Sequence, residues 1–206
     1  MKRFAFTMIE LVFVIVVIGI ITAVMLPRID RDNVYEAAQQ VISHIKYTQH
    51  LAMIDNKYDD NNTDWYKERW QIGFTSCTSG DIAYTIHSDE AAYGVLPARA
   101  ETARDPLSKL RLYHNNCLQD PVQDDGQVNL TNNFNIDSMD FTGCANVQHI
   151  AFDTMGRPFT NVSNSTSSTA SYMTAVCDIV LIVNNDSNAT IRIEPETGYT
   201  RLLSIN

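Results

Sequence analysis

Residues 6–26 read FTMIELVFVIVVIGIITAVML, and this run decides how the rest of the chain is interpreted. Glu10 is its single ionisable residue, and its length matches the stretch of about 20 residues that crosses a bilayer core as a helix. Lys2 and Arg3 precede the run, whereas the basic residues just after it are offset by aspartates. This asymmetry favours a cytoplasmic N-terminus. The segment therefore predicts one spanning helix that carries a globular domain outside the cytoplasm.

Two ordinary explanations of this run fit poorly. A secretory signal peptide has about 7 to 15 apolar residues before a small-x-small cleavage site, and this run is longer and continues into VMLP at residues 24–27. A plain signal anchor fits the length but gives Glu10 no role, because a charged group inside a spanning helix costs about 2.5–3.5 kcal/mol on insertion scales. The cost of burying the Glu10 carboxylate indicates that this residue has a specific role.

The first 26 residues resemble the N-terminus of type IV prepilins and type II secretion pseudopilins. In that family a short basic leader is cut just before a phenylalanine in the pattern F-T-x-I-E-L, which residues 6–11 match. The resemblance implies that prepilin peptidase cleaves between Ala5 and Phe6 and that the new N-terminus at Phe6 is methylated. It also implies that Glu10 docks subunits into a filament. The chain departs from the family at Ala5, where glycine is usual.

The spacing of Phe6 and Glu10 agrees with this role. Cleavage creates an amino group that stays cationic after methylation, four residues before the carboxylate, so both groups lie on one helical face. Between neighbouring helices, the amine of one subunit can meet the carboxylate of the next. The family match continues through Gly19 and Pro27, where the missing backbone donor of the proline predicts that the helix bends or loosens.

A second apolar pattern follows Pro27. Its residues recur at steps of four and three, which is typical of a helix with one buried stripe. These residues are Val34, Ala38, Val41, Ile45, Thr48 and Ala52. Polar residues 56–64 end this helix. The predicted organisation is a leader at residues 1–5, a transmembrane half-helix at 6–26, an amphipathic half-helix at 27–56 and a periplasmic β-rich domain at 57–206.

The later chain contains runs of bulky and β-branched residues bounded by turn signals, and these predict strands. The runs are residues 70–74, 82–87, 149–152, 177–183, 189–193 and 199–203. The Ser/Thr/Asn-rich stretch 160–171 predicts an exposed, mobile loop. The expected fold class is α+β and pilin-like, in which a long N-terminal helix with a membrane-spanning first half packs on an antiparallel β-sheet.

Two later motifs carry a second, weaker resemblance. FDTMGRP at residues 152–158 and IEPETG at residues 193–198 are similar to segments of the H-type, or FimT-like, minor pseudopilins. This second resemblance implies that the chain is a minor subunit of such a filament.

Four cysteines lie in the part of the chain that is expected outside the cytoplasm. Cys77, Cys117, Cys144 and Cys177 suggest two disulfides, and a zinc site would usually bring a C-x-x-C pair that the chain lacks. Three pairings are open. The pair closest in sequence, Cys117 and Cys144, is the first guess.

Charge and motif content disfavour other function classes. The net charge of −9 disfavours a nucleic-acid surface, and the chain lacks G-x-S-x-G, H-E-x-x-H and P-loop motifs. His87, His114 and His149 are scattered in sequence, and His44 and His50 are expected on the surface of the helix. The acidic stretch 119–126 does not reproduce the EF-hand spacing and predicts a solvated loop. No catalytic residue, cofactor or metal site is expected.

The expected function is that of a structural, minor subunit of a type II secretion pseudopilus or type IV pilus. Its expected partners are other pilin or pseudopilin subunits, prepilin peptidase, the inner-membrane assembly platform and the lipid bilayer. We expect it in the bacterial inner membrane as a single-pass protein with a periplasmic domain, and then in a filament. Two alternatives stay open: a membrane-anchored extracytoplasmic binding protein, and a minor pilin used in DNA uptake.

Overall fold

The computed structural model describes residues 8–90, 97–144, 148–183 and 187–206, and for residues 23–32 it describes the backbone alone. The predicted cleavage and methylation positions, Ala5 and Phe6, lie outside the described residues.

The first element is helix α1, Met8–Ile54, which has 47 residues. Its predicted buried stripe is confirmed, because Val34, Ala38, Val41, Ile45 and Thr48 are fully buried and Ala52 is 3% exposed. Burying this stripe removes water from the apolar side of the helix, which is the main source of its stability. The helix includes Gly19 and Pro27, and the predicted bend near them stays a prediction.

In the described part of the chain, eight strands and one short second α-helix follow. The strands are β1 Trp70–Ser76, β2 Ile82–Ser88, β3 Ser138–Thr142, β4 His149–Phe152, β5 Pro158–Thr160, β6 Cys177–Val183, β7 Ser187–Ile193 and β8 Thr200–Ile205. The second helix, α2, is Leu130–Phe134 and lies between β2 and β3. The strands form two four-stranded sheets, in the orders β2-β1-β4-β5 and β3-β6-β7-β8. Every paired neighbour is antiparallel.

The predicted fold class is wrong. A single antiparallel sheet under a long helix with a membrane-spanning first half was expected, and the chain instead forms two sheets. The alternation of side chains predicts which residues face a core but not which strands pair, so it did not divide the strands between sheets. Strands β3 and β5 were missed.

Within the described parts of the chain, no helix is both long enough and apolar enough to cross a membrane.

The core lies where the second part of α1 packs against both sheets. This part of the helix contacts β1 and β4 of the first sheet and β6, β7 and β8 of the second. In β6 the burial alternates residue by residue, as expected for a strand with one covered face. All seven residues of β2 are buried instead, so both faces of the first sheet are covered at this strand.

The position of the core predicts that a chain starting at Asn33 folds. Val34 is the first residue of the main core cluster, whereas residues 8–22 are all exposed, so this truncation removes no described core contact. We expect its midpoint of urea unfolding to match that of the full chain when both are produced in an oxidising compartment. A chain starting at Ile42 is the control, because it also loses the buried Val34, Ala37, Ala38 and Val41 and is expected to unfold. A disordered circular dichroism spectrum for the chain starting at Asn33 contradicts this prediction.

Candidate functional site

The first described part of α1 presents an exposed apolar surface. We call residues 8–22 the apolar segment, and all of them are exposed. Its large side chains include Met8 at 88%, Ile9 at 80% and Phe13 at 69% exposed, in contrast to the buried stripe later in the same helix. A continuous exposed apolar surface of this kind is typical of an interaction site.

Glu10 lies at the N-terminal end of this apolar segment. It is exposed and lies close to the start of the described part of α1. The fold therefore places the predicted docking residue on the apolar surface and far along the helix from the globular domain.

The two motifs that carry the weaker resemblance meet on α1. Gln49 donates hydrogen bonds from Nε2 to the carbonyl oxygens of Gly156, at 2.8 Å, and Thr197, at 3.0 Å. Gly156 belongs to the β4–β5 turn and Thr197 to the β7–β8 turn, so one side chain connects a turn from each sheet. We call this arrangement the Gln49 junction. This role of Gln49 was not predicted from the sequence, although both motifs contain a glycine.

Both glycines of the Gln49 junction are required by its geometry. Gly156 and Gly198 have φ values of +77° and +65°, which disfavour other residues. A Cβ atom on Gly198 would lie 2.6 Å from the Gly156 carbonyl oxygen and 2.7 Å from Gln49 Nε2. The β4–β5 turn is further held by Asp153, whose Oδ1 accepts from the backbone N–H groups of Met155 and Arg157.

We expect Gly198→Ala to lower the free energy of unfolding by about 2–4 kcal/mol, because it combines a strained backbone with a steric clash. Gly126→Ala is the matched control, since a Cβ atom there meets nothing within 4 Å. The control is expected to change stability by no more than about 0.5 kcal/mol. Urea unfolding monitored by circular dichroism measures both variants. Equal midpoints for the two variants contradict the junction's contribution.

The prediction of two disulfides is confirmed, and the guessed pairing of Cys117 with Cys144 is wrong. Cys77 pairs with Cys117, with 5.9 Å between Cα atoms, and Cys144 pairs with Cys177, with 4.7 Å. In the second pair, Cys144 lies two residues after β3 and Cys177 is the first residue of β6, and these two strands are antiparallel neighbours. This second disulfide follows strand pairing, whereas Cys117 of the first lies in a loop, and neither pair is the one closest in sequence.

Among the described residues, Cys77, His114 and Cys117 form one group whose potential metal-ligand atoms lie within 4.8 Å of one another. Both sulfur atoms are bonded to each other, so they are not thiolate ligands in this state. His114 Nδ1 accepts a hydrogen bond from the backbone N–H of Cys117. The group is therefore a structural one, held by the Cys77–Cys117 disulfide and the hydrogen bond to His114.

The acidic stretch 119–126, predicted as a solvated loop, is partly buried. Asp124 is 1% exposed and accepts two hydrogen bonds of 2.8 Å from Arg99, and Asp125 is 4% exposed and accepts one from Ser108. The Ser/Thr/Asn-rich stretch 160–171 also packs on the domain, since the carbonyl oxygen of Ser165 accepts a hydrogen bond from Tyr66. In both cases the partner comes from a distant part of the sequence.

The fold gathers histidines that are scattered in sequence. His87 of β2 and His149 of β4 lie on the same face of the first sheet, with ring centroids 6.2 Å apart and edge to face. Gly73 of β1 is paired with His149 on one side and with Thr85 on the other. It leaves space for His149, because a Cβ atom there would be 2.7 Å from the imidazole. We call this surface the polar sheet face.

Burial dominates the titration of these side chains. It lowers the pKa of His87 to about 3, with a smaller contribution from His149, and it lowers the pKa of His114 to about 4. Burial also lowers the pKa of His149, and nearby Asp89 partly offsets this effect. The histidines are neutral at pH 7. No catalytic role was predicted for His87, His114 or His149. Their burial is that of structural polar side chains inside the domain.

His44 of α1 is buried, so its predicted surface position is wrong, whereas His50 is exposed as expected. His44 Nδ1 shares a hydrogen bond with the Tyr84 hydroxyl group, which also accepts one from Gln40. Burial lowers the pKa of His44 despite the nearby carboxylates of Asp105 and Asp125. These bonds anchor the helix to β2.

The two arginines near the C-terminus are held in ion pairs. Arg192 donates two hydrogen bonds, of 2.8 and 2.7 Å, to Asp178 on the neighbouring strand, and Arg201 donates one of 3.1 Å to Glu194. Their charges are therefore offset within the second sheet.

Comparisons of this chain with protein-family models, with curated proteins and with solved structures find no match.

Proposed function

We propose that this chain is a structural, minor subunit of a type II secretion pseudopilus or a type IV pilus. In this proposal prepilin peptidase removes residues 1–5, and the protein resides in the bacterial inner membrane with its globular domain in the periplasm. The inner-membrane assembly platform then moves it into a filament, where the N-terminal helix packs against the helices of other subunits.

One observation carries the proposal: the exposed apolar segment and the buried stripe belong to the same helix. The apolar segment exposes large side chains from Met8 to Ile21, while the helix from Val34 onward is built into the core of the domain. Such a helix fixes a rigid domain to an apolar rod, as a filament subunit requires. The sequence F-T-M-I-E-L adds the processing signal at the start of that rod.

Two further features support a structural subunit over a DNA-binding one. The net charge of −9 repels phosphate, and the C-terminal arginines Arg192 and Arg201 are already paired with carboxylates. A filament subunit needs neither a basic surface nor a catalytic group.

Mass spectrometry of the mature protein tests this function directly. We expect the N-terminal peptide to begin at Phe6 and to carry one methyl group, and we expect Ala5→Gly, which restores the usual residue of the family, to be processed at least as completely. An intact Met1 in cells that contain an active prepilin peptidase, in both the unaltered chain and the Ala5→Gly variant, contradicts the proposal.

A further inference from the structure

A pocket lies where the end of α1 meets the β4–β5 turn. We call it the Arg69 pocket, and its volume is about 280 Å³. Its walls include the aromatic side chains of Tyr58, Trp65 and Trp70, and the exposed Met155 lies at its edge. This volume is near the lower end of the range of about 300–1,000 Å³ for small-molecule sites, so a suitable ligand is small.

Arg69 contributes a buried cation to this pocket. The residue is 7% exposed, and its guanidinium group lies 4.0 Å from the ring centroid of Phe159 and 5.3 Å from that of Trp65. Nη2 donates a hydrogen bond to the Ser168 carbonyl oxygen at 3.0 Å, whereas the buried Nε has no hydrogen-bond partner. Among the described residues, no carboxylate forms an ion pair with Arg69. A buried guanidinium group without such a partner is costly and creates a strong preference for an anion.

The acids of the pocket are already paired with other cations. Asp55 accepts from Lys57 and from the Trp70 indole, each at 2.8 Å, and Lys57 also binds Glu90. Asp153 binds Arg157 at 2.7 Å. Burial lowers the pKa of Arg69, and the Asp153 carboxylate offsets this effect only in part. Among the residues that line the pocket, three cations face two carboxylates, and Arg69 is the cation for which no ion pair is found among the described residues.

The aromatic side chains of the pocket indicate that the ligand also contains a planar apolar group. Tyr58 and Trp65 meet edge to face, with 5.2 Å between ring centroids, and the Trp70 ring is held by its hydrogen bond to Asp55. Such fixed rings pack well against another planar ring. A fully hydrated inorganic anion would use the cation but not these walls.

We propose that the Arg69 pocket binds a small monoanion in which one carboxylate lies close to an aromatic ring. The carboxylate lies against Arg69 and the ring lies among Tyr58, Trp65 and Trp70. Free aromatic acids and the C-terminal aromatic residue of a peptide share this chemistry. This site was not predicted from the sequence, although WYKERW at residues 65–70 places aromatic and basic residues side by side.

The chain contains its own probe for this site. Its only two tryptophans, Trp65 and Trp70, both line the Arg69 pocket, so tryptophan fluorescence reports on the pocket. The full chain is titrated with phenylacetate, with phenylacetamide and with N-acetyl-glycyl-phenylalanine. We expect a saturable change in fluorescence with phenylacetate and with N-acetyl-glycyl-phenylalanine. Phenylacetamide is expected to bind at least about tenfold more weakly than phenylacetate, because a charge-assisted hydrogen bond is lost.

The relative affinities of phenylacetate and N-acetyl-glycyl-phenylalanine identify the source of the ligand. Tighter binding of the peptide assigns the pocket to chain termini, and tighter or equal binding of phenylacetate assigns it to free acids. Inorganic phosphate is the control for a bare anion site. Equal binding of phenylacetate and phenylacetamide, binding of phosphate as tight as that of phenylacetate, or no saturable change with either carboxylate overturns the proposal.

Two sets of variants link binding to named side chains. Arg69→Gln is expected to weaken phenylacetate binding at least about tenfold while leaving circular dichroism unchanged. Because a buried arginine also packs on Phe159, Met155→Glu and Met155→Gln provide a second, fold-independent pair at an exposed position. Met155→Glu is expected to weaken phenylacetate binding severalfold by charge repulsion, whereas Met155→Gln leaves it within about twofold. Equal affinity in these two variants counts against the proposed position of the carboxylate.

Discussion

Glu10→Ala and Glu10→Gln are each expected to abolish incorporation of this chain into a filament while leaving its processing and abundance unchanged. In the proposed function, the Glu10 carboxylate pairs with the methylated amine of Phe6 on a neighbouring subunit at an apolar boundary. Removing one partner of a buried ion pair costs about 3–5 kcal/mol, which corresponds to a loss of more than about 100-fold in subunit affinity. A simple membrane anchor responds in the opposite sense, because removing the charge makes insertion easier by up to about 3 kcal/mol.

Crosslinking in cells and shear-release of filaments measure this incorporation, with membrane fractions assayed for processed protein. Glu36→Gln is the matched control, since Glu36 is an exposed acid on the same helix but lies beside the globular domain. The control is expected to assemble normally. Normal incorporation of both Glu10 variants would remove the docking role of the carboxylate and leave the apolar segment as a plain anchor.

Acidification is expected to destabilise the domain before its carboxylates are protonated. His87 and His114 have folded pKa values of about 3 and 4, well below the ordinary value of 6.5, so the unfolded chain binds protons more readily than the folded one. The stability that these histidines provide is complete above about pH 6.5 and falls as the pH decreases from 6.5 toward the folded values. Each histidine then costs about 1.4 kcal/mol per pH unit, or about 3 kcal/mol near pH 4.5.

Two such costs approach the total stability of an ordinary domain, which is about 5–15 kcal/mol, so we expect the domain to unfold near pH 4–5. Urea unfolding at a series of pH values measures the slope. His87→Gln is expected to reduce the slope between pH 6.5 and 4, whatever its effect at pH 7, and His50→Gln is the exposed control. A midpoint that stays constant from pH 7 to pH 4.5 would show that His87 and His114 take up protons without cost.

Further loss of stability is expected at lower pH from another group of side chains. Hydrogen bonds from Lys57 and Trp70 lower the pKa of Asp55 despite its partial burial, and backbone N–H groups similarly lower that of Asp105. A carboxylate with a lowered pKa stabilises the fold above about pH 3.8, and this contribution is lost as the pH falls below that value. The loss of the histidine contribution therefore begins at a higher pH than the loss of the carboxylate contribution.

Local patterns in the sequence determined the features that depend on neighbouring residues. The steps of four and three from Val34 to Ala52 predicted the buried stripe of α1, because the period of a helix fixes which side chains share a face. The run from Cys177 to Val183 matched β6 to the residue, since it is rich in apolar and β-branched residues. The number of cysteines predicted two disulfides, and the resemblance of residues 6–11 supplied the functional hypothesis.

Tertiary structure alone decided which distant segments meet. The alternation of a strand says which face is buried but names no partner, so the two sheets, strands β3 and β5, and the pairing of Cys77 with Cys117 were not predictable. The same limit applies to polar residues whose burial depends on remote packing. His87 and His149 share a face only because β1 separates their strands, and Arg69 lies in a pocket only because the β4–β5 turn packs beside the end of α1. The sequence determines the charge and shape of each side chain, whereas the complete fold determines its solvent exposure and its contact partners.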